Sequence, residues 1–213
     1  MPRAGTPPRG LLIFDLDGTL IDSGRDIATA INLLRRDYGL KPLSVRTVVS
    51  YVGDGLRVLV ARSLRGRRAD LDEATKRGGI HYREHLFDHT VLYPGVRQGL
   101  RRLRRAGYRL ALISNKPAAS CRRILRHFGL ARLFDVVLGG GDTETAKPHP
   151  GPLRIAMRRT RIPPARAWMI GDHKTDLEAA RRAGIRSVFL TYGIGQLGRE
   201  KPALRFDSFK AFV

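Results

Sequence analysis

Two aspartates, one residue apart, end a short apolar run near the start of the chain. In "GLLIFDLDGT", residues 10–19, Asp15 and Asp17 follow the run "GLLIF". Side chains at positions i and i+2 of a strand point to the same face, so both carboxylates can face one pocket. Gly18 permits a tight turn, and its backbone N–H could donate to an anion. The alternative is a capping aspartate beside a turn aspartate.

Two further polar segments also follow apolar runs. Ser114 and Asn115, in "ISNKP", stand between a strand and the start of a helix, where a hydroxyl and backbone amides suit phosphate oxygens. Lys147, in "TAKPHP", could balance anionic charge in a carboxylate-rich site. Taken alone, the first segment is better interpreted as an ordinary helix cap and the second as a loop lysine.

A second pair of aspartates follows the run "AWMIG". Asp172 comes directly after it, and Asp176 lies four residues later, in the first turn of a predicted helix. Carboxylates at this place often only cap the helix. Together with Asp15 and Asp17, however, they would form a site of four carboxylates, which repel one another strongly without a cation. Hard oxygen ligands of this kind, few in number, suit Mg²⁺ completed by water and a substrate phosphate.

The elements that must position these residues are strands and helices in alternation. Stretches at about 117–128, 150–160 and 174–183 predict helices. This order predicts an α/β fold, a parallel doubly wound (Rossmann-like) sheet with helices on both faces and its site at the carboxyl ends of the strands. The predicted strands are "GLLIFD" (10–15), "YRLALIS" (108–114), "FDVVLG" (134–139), "AWMIGD" (167–172) and "RSVFLT" (186–191).

Residues 22–92 break this alternation, because they show helical patterns and no clear strand. In "DIATAINLLRRDYG", for example, the apolar residues fall on one helical face. The region predicts a helical subdomain inserted after the first strand, and "LYPGV" marks the return to the sheet. We therefore expect a Rossmann-like core formed by 1–21 and 93–213, with 22–92 as the inserted helical unit.

The charge is strongly positive, since 40 Lys and Arg stand against 19 Asp and Glu, a net charge of +21 in 213 residues. In "VRQGLRRLRRAGYR" the arginines lie largely off the apolar face that Val96, Leu100 and Leu103 form, which is typical of a solvated outer face. No basic tail, zinc-finger spacing or aromatic-interleaved basic strand occurs. We expect no specific nucleic-acid partner, and a charge that attracts anionic substrates.

Cysteine content and hydropathy bear on the environment of the protein. Cys121 is the only cysteine, so an intrachain disulfide is excluded, as is usual in a reducing cytoplasm. The apolar runs are strand-sized, and no apolar segment of signal-peptide length follows the first arginines. We expect a cytoplasmic protein without a membrane partner, and either a monomer or a homodimer.

Read in order, "DLDGT", "SNK", "AKP" and "GDHKTD" resemble the four motifs of the haloacid dehalogenase-like superfamily. Within it the chain most resembles the phosphoglycolate phosphatase branch, through "YVGDG", "LYPGV", "SNKP" and "KPHPGPL". The resemblance implies a phosphoric monoester hydrolase that depends on Mg²⁺, has a helical cap, and acts on a small phosphorylated metabolite, with 2-phosphoglycolate the leading candidate. Dehalogenases of the superfamily lack a second acid at the position of Asp17, so its presence implies phosphoryl transfer.

The resemblance also implies a role for each residue of the site. Asp15 would be the nucleophile that forms an aspartyl-phosphate, and Asp17 the general acid and base. Asp176 would reach the metal through water or orient Lys147. The metal would be held by Asp15, the backbone carbonyl of Asp17 and Asp172, and the substrate by Gly18, Thr19, Ser114, Asn115 and Lys147.

Three alternatives to this function remain open. A pyrophosphatase or a sugar-phosphate phosphatase would use the same core residues, a phosphomutase would return the phosphoryl group to a sugar, and a basic nucleic-acid-binding protein would have lost catalysis. His173 replaces the small hydroxyl residue more usual in the family, and we expect it to face solvent rather than bind metal. In "YVGDGLR", Asp54 or Arg57 would contact the leaving group, or the segment is an ordinary turn.

Overall fold

Six parallel strands form the central sheet of the structure, a computed structural model that describes residues 8–213. The first seven residues of the predicted core segment 1–21 lie outside this range. The sheet has the order β5-β4-β1-β6-β7-β8, and β2 pairs with β3 in antiparallel fashion. In chain order the strands are β1 (Leu11–Phe14), β2 (Ile21–Asp22), β3 (Val91–Leu92), β4 (Arg109–Pro117), β5 (Val136–Gly140), β6 (Ala167–Gly171), β7 (Arg186–Leu190) and β8 (Leu204–Phe206).

Helices connect the strands of the sheet, and the three predicted from the sequence correspond to α6, α7 and α8. None of the helices in the described part of the chain is long and apolar enough to cross a membrane. They are α1 (Gly24–Asp37), α2 (Val45–Val49), α3 (Leu56–Ser63), α4 (Leu71–Glu84), α5 (Val96–Arg105), α6 (Ala118–His127), α7 (Gly151–Thr160), α8 (Lys174–Ala183) and α9 (Phe209–Phe212).

The central strand β1 is buried on both faces, and its alternate side chains enter two separate cores. Leu12 and Phe14 pack with residues of α1, α5, α6 and α9 on one face of the sheet. Leu11 and Ile13 pack with residues of α7 and α8 on the other. A parallel sheet covered by helices on both faces requires such continuous apolar strands. The predicted α/β fold is therefore confirmed.

The helices α1 to α4 lie between β2 and β3 and form the inserted unit, which we call the cap. On α1 the residues Ile27, Ile31 and Leu34 are buried, as their helical spacing predicted. Asp26 of α1, also fully buried, accepts hydrogen bonds from the backbone N–H groups of residues 89 and 90, which ties the first helix to the returning chain. The division of the chain at residues 22 and 92 stays a prediction.

Three short strands were missed by the sequence analysis. The two-residue strands β2 and β3 pair at the ends of the cap, so the expectation of no strand in 22–92 was wrong there. Strand β8 extends the sheet beside β7, although two of its three residues are exposed. Segments this short carry no apolar alternation by which they could be recognised.

Candidate active site

The carboxyl ends of the adjacent strands β1, β4 and β6 open into one pocket of about 70 Å³ beneath the cap. The polar segments that follow these strands form its floor, and residues of α1, α3 and α4 form a largely apolar roof. The sequence-predicted residues that line it are Asp15, Asp17, Ser114, Asn115, Lys147 and Asp172. The structure thus brings together segments that lie up to 157 positions apart in the sequence.

Lys147 joins two of the carboxylates. Its Nζ lies 2.8 Å from Oδ1 of Asp15 and 2.6 Å from Oδ1 of Asp176, and all three side chains are buried. Burial lowers the pKa of Lys147, but the carboxylates of Asp15 and Asp176 outweigh this effect and raise the pKa above its ordinary value. Burial raises the pKa of Asp15 from 3.8 to about 6, against the opposing effect of Lys147. Lys147 is therefore a permanent cation at the centre of the site.

Asp172 is held in place by three hydrogen bonds. The hydroxyl of Thr19 donates to Oδ1 over 2.9 Å, and the backbone N–H groups of Ile194 and Gly195 donate to Oδ2 over 2.9 and 2.8 Å. The side chain is almost fully buried. These contacts orient the carboxylate toward the pocket that it shares with Asp15.

Three carboxylates of the site fit a metal ion. Asp15, Asp172 and Asp176 each offer an oxygen atom, and these atoms lie within 4.8 Å of one another. Burial, and then the charges of Asp15 and Asp176, raise the pKa of Asp172 well above its ordinary value. Oδ1 of Asp15 has no hydrogen bond of good geometry within residues 8–213. A hard divalent cation would relieve the repulsion among the three carboxylates.

Asp17 makes a buried ion pair that the sequence analysis did not anticipate. Nζ of Lys116 donates to its two carboxylate oxygens over 2.6 and 2.9 Å, and the hydroxyl of Ser23 donates over 2.5 Å. Burial lowers the pKa of Lys116, but Asp17 outweighs this effect and raises the pKa above its ordinary value. Strand β4 continues to Pro117 with an irregular register, and both Ser114 and Lys116 line the pocket. The lysine inside the segment "SNKP" was the signal that could have identified Lys116.

Gly18 and Thr19 hold the site together in this structure. The N–H of Gly18 donates to the carbonyl of Ile21 over 2.9 Å, and the hydroxyl of Thr19 is engaged with Asp172. Gly18 has a φ of 77°, and a Cβ there would lie 2.0 Å from Oδ2 of Asp172. Only glycine fits such a position. Substrate contact by these two residues stays a prediction.

Asn115 joins the cap to the loop that carries Lys147. Its Nδ2 donates to the carbonyl of Lys147 over 2.7 Å and to that of Gly53, in the cap, over 3.0 Å. Its Oδ1 accepts from the N–H of Lys147 over 2.9 Å. The neighbouring Ser114 lines the pocket, and its Oγ accepts from the N–H of Lys116 over 3.3 Å, which leaves its own hydrogen to donate. Asn115 therefore positions Lys147, and its predicted contact with substrate is not tested by this arrangement.

Comparison with known proteins places this geometry in a family. The sequence model described as "Haloacid dehalogenase-like hydrolase" matches residues 12–190. The chain belongs to the haloacid dehalogenase-like hydrolase family. The family resemblance stated from the four motifs is therefore confirmed.

Named relatives of this hydrolase match over almost its whole length. It is 39% identical to the phosphoglycolate phosphatase of Colwellia psychrerythraea, with 95% of each chain covered. It is 40% identical to that of Psychrobacter arcticus, with 95% of this chain and 94% of the relative covered. The crystal structure of a predicted phosphoglycolate phosphatase from Haemophilus somnus 129PT superimposes with a TM-score of 0.90, at 32% identity and 98% coverage of both chains.

His173 of this hydrolase does not face solvent as expected. It is half-buried and lines the pocket, where the cap glycine Gly53 lies so close that a Cβ would be 2.6 Å from the imidazole ring. Burial lowers the pKa of His173, so the ring is neutral at pH 7. Its Nδ1 accepts from the N–H of Thr175 and caps α8. His173 is thus a contact between the cap and the core.

The remaining cap residues singled out in the sequence are paired outside the pocket. Asp54 lies 2.6 Å from a guanidinium nitrogen of Arg62, and Arg57 pairs with Asp72. The glycines on either side of Asp54 do line the pocket. In this structure the loop therefore borders the pocket with its glycines, whereas the charged side chains of Asp54 and Arg57 pair with other residues of the cap.

The loop after β7 contributes to the site of this hydrolase and was not recognised in the sequence. Gly193 and Gly195, in "TYGIG", lie against the residue that follows β6, and a Cβ at either would come within 2.5 Å of Asp172. Tyr192 of the same loop donates to the carbonyl of Thr19 over 2.6 Å. Two glycines directly after a strand neighbouring β6 were the available signal.

Proposed function

We propose that this hydrolase is a Mg²⁺-dependent phosphatase that works through an aspartyl-phosphate on Asp15. The observation that carries the proposal is the arrangement of Asp15 and Asp17 in one pocket, with a buried cation, Lys147, on the first and the metal-fitting cluster beside it. A nucleophile and a separate acid–base group are the two functions that such a hydrolysis requires.

In the proposed reaction an oxygen of Asp15 attacks phosphorus, and the bond from phosphorus to the alcohol oxygen breaks. Asp17 gives its proton to that oxygen as the alcohol leaves. Asp17 then takes a proton from water, which attacks phosphorus and releases phosphate, so that Asp15 is regenerated. Ser114 and Lys147 bind the oxygens of the transferring group. Because phosphate-monoester hydrolysis can need a rate enhancement of up to ~10²¹, charge and position in the site must supply most of it.

The charges of the site support the need for a cation. When ionised, the four carboxylates outnumber the two buried lysines and leave a net charge of −2, which repels a phosphate dianion. Asp15, Asp172 and the backbone carbonyl of Asp17 would hold Mg²⁺, with Asp176 acting through water or through Lys147. The bound ion would neutralise this excess and polarise a phosphoryl oxygen.

We propose 2-phosphoglycolate as the substrate, because the named relatives that match nearly the full chain are phosphoglycolate phosphatases. We expect the enzyme to act in the cytoplasm, without a specific nucleic-acid partner and as a monomer or homodimer.

A substrate panel tests the proposal. It compares kcat/KM for 2-phosphoglycolate, pyrophosphate, sugar phosphates and nucleotides, with Mg²⁺ and with a chelator. We expect the highest value for 2-phosphoglycolate, loss of activity with the chelator, and little recovery by Mg²⁺ in Asp172→Asn. A higher value for another ester would overturn the substrate and leave the phosphatase standing. Absence of hydrolysis across the panel would overturn both.

A further inference from the structure

The proposed phosphatase reaction leaves one buried cation of the pocket without a task. Among the pocket-lining residues of the described chain, Lys116 and Lys147 are the permanently charged cations. Lys147 is occupied between Asp15 and Asp176. Lys116 is 7% exposed, and its ammonium group forms its one ion pair in the described chain with Asp17, at the end of the pocket that faces the cap. Asp17 must carry a proton when it acts as the proposed general acid, and it then no longer balances the charge of the buried ammonium group, which is costly unless the substrate supplies an anion.

A second polar group in the pocket lacks a hydrogen-bond partner within the described residues. The hydroxyl of Tyr82, on α4 of the cap, is buried and has no hydrogen bond to any residue within 8–213. Nζ of Lys116 lies over the Tyr82 ring, 4.4 Å from its centre, so this cation–π contact joins the core lysine to the cap tyrosine. An unsatisfied buried hydroxyl of this kind is expected to meet a polar atom of a ligand.

We propose that Lys116 and Tyr82 form a subsite for an anionic group on the alcohol half of the substrate. The inference rests on the proposed function, because Asp17 there protonates the leaving oxygen, which must therefore lie next to Asp17. Nζ of Lys116 is 2.6 Å from Oδ1 of Asp17, so a carboxylate on the carbon that bears the leaving oxygen comes within its reach. The ammonium group would bind one carboxylate oxygen and the tyrosine hydroxyl would donate to it.

The rest of the roof agrees with a small hydroxy acid as the leaving group. Around Tyr82 the cap presents Ile31, Leu56 and Leu59, which offer nothing to the hydroxyl groups of a sugar. The substrate class is therefore a phosphate monoester of a short 2-hydroxy acid, the class to which 2-phosphoglycolate belongs. An ester with a neutral alcohol would leave Lys116 paired with Asp17 and would lose the contact.

Two esters that differ in one group test the subsite: 2-phosphoglycolate and 2-hydroxyethyl phosphate, in which the carboxylate is replaced by a neutral CH₂OH. We expect Lys116→Met to lower kcat/KM for 2-phosphoglycolate about 100-fold, and for 2-hydroxyethyl phosphate less than about tenfold. Tyr82→Phe, which removes only the hydroxyl, should lower the first value by about three- to tenfold and the second value by less, because a neutral oxygen accepts a weaker hydrogen bond. Lys76→Met, at an exposed position of α4, is the control and should change neither.

The ratio of the two kcat/KM values separates the subsite from a structural role. A loss of preference in Lys116→Met, with thermal unfolding close to that of the wild type, supports the subsite. An equal loss on both esters, or a retained preference in both Lys116→Met and Tyr82→Phe, overturns it while the phosphatase proposal stands. A wild-type enzyme that hydrolyses other phosphate esters and shows no preference within this pair overturns both the subsite and the assigned substrate.

Discussion

The amide side chain of Asn115 offers the sharpest test of how the cap is coupled to Lys147, the proposed phosphate-binding lysine. Its hydrogen bonds to the N–H and carbonyl of Lys147 and to the carbonyl of Gly53 all disappear in Asn115→Ala. The chain contains a matched control, because Asn32 makes the same pair of bonds to Leu43 within the cap, over 2.9 and 2.8 Å. Asn32 lies outside the active-site pocket.

The two variants should lose similar stability but differ in activity. A net value of about 0.5–1.5 kcal/mol per hydrogen bond gives about 1–3 kcal/mol for the two bonds that each variant loses in common. The third bond of Asn115, to Gly53, contributes about 1 kcal/mol, so its loss should weaken docking of the cap loop about fivefold. Displacement of Lys147 by even about 1 Å can cost a further ~100-fold in rate. We expect kcat/KM to fall at least about tenfold in Asn115→Ala and less than about twofold in Asn32→Ala.

Denaturant unfolding and steady-state kinetics on the same protein preparations measure the two effects. Stability losses of similar size with a selective loss of kcat/KM in Asn115→Ala support the coupling. The reasoning is refuted if Asn115→Ala keeps full activity, or if Asn32→Ala is equally inactive at equal stability.

Two further predictions concern the carboxylates. Gly18→Ala and Gly39→Ala both force alanine to a positive φ, at a cost of roughly 1–2 kcal/mol in stability. Only in Gly18→Ala does the new Cβ also clash with Asp172, so only this variant should lose activity. Equal activity in the two variants would contradict the site geometry. Because burial raises the pKa of Asp15 from 3.8 to about 6, the folded protein binds that proton more tightly than the unfolded chain, and its ionisation as pH rises through this range destabilises the fold. In the presence of a chelator, Asp15→Asn should therefore raise the free energy of unfolding at pH 7.5 by at most about 3 kcal/mol. This gain in stability should shrink toward pH 4, and a gain independent of pH would contradict the burial of the Asp15 charge.

The main strands could be predicted because each is an apolar run buried on both faces. This pattern does not depend on tertiary contacts, and it located β1, β4, β5, β6 and β7 to within a few residues. Strand β8 could not be found in this way, since it has three residues and exposes two of them. It exists because β7 offers it a free edge, which is a property of the assembled sheet.

The floor of the site was predictable from motifs, and its contacts with the cap were not. The strand predicted at 108–114 ends at Ser114, whereas β4 runs to Pro117, so the place of Lys116 in the pocket was overlooked. His173 was expected in solvent because nothing in its own segment reveals that Gly53 packs against it. The first error concerns an ion pair between Lys116 and Asp17, which lie far apart in the sequence, and the second a contact that exists only once the cap is folded onto the core.

Direct detection of the aspartyl-phosphate is the measurement that tests the central claim. In Asp17→Asn, p-nitrophenyl phosphate should still phosphorylate Asp15, because its leaving group needs no proton, while hydrolysis of the intermediate is slowed. We predict that mass spectrometry of the acid-quenched protein finds one added phosphoryl group, labile to hydroxylamine and located on Asp15 in peptic peptides. The group should be absent when Asp15→Asn is added to the variant. Phosphorylation of any other residue, or turnover with no phosphorylated protein at any time, would contradict the account.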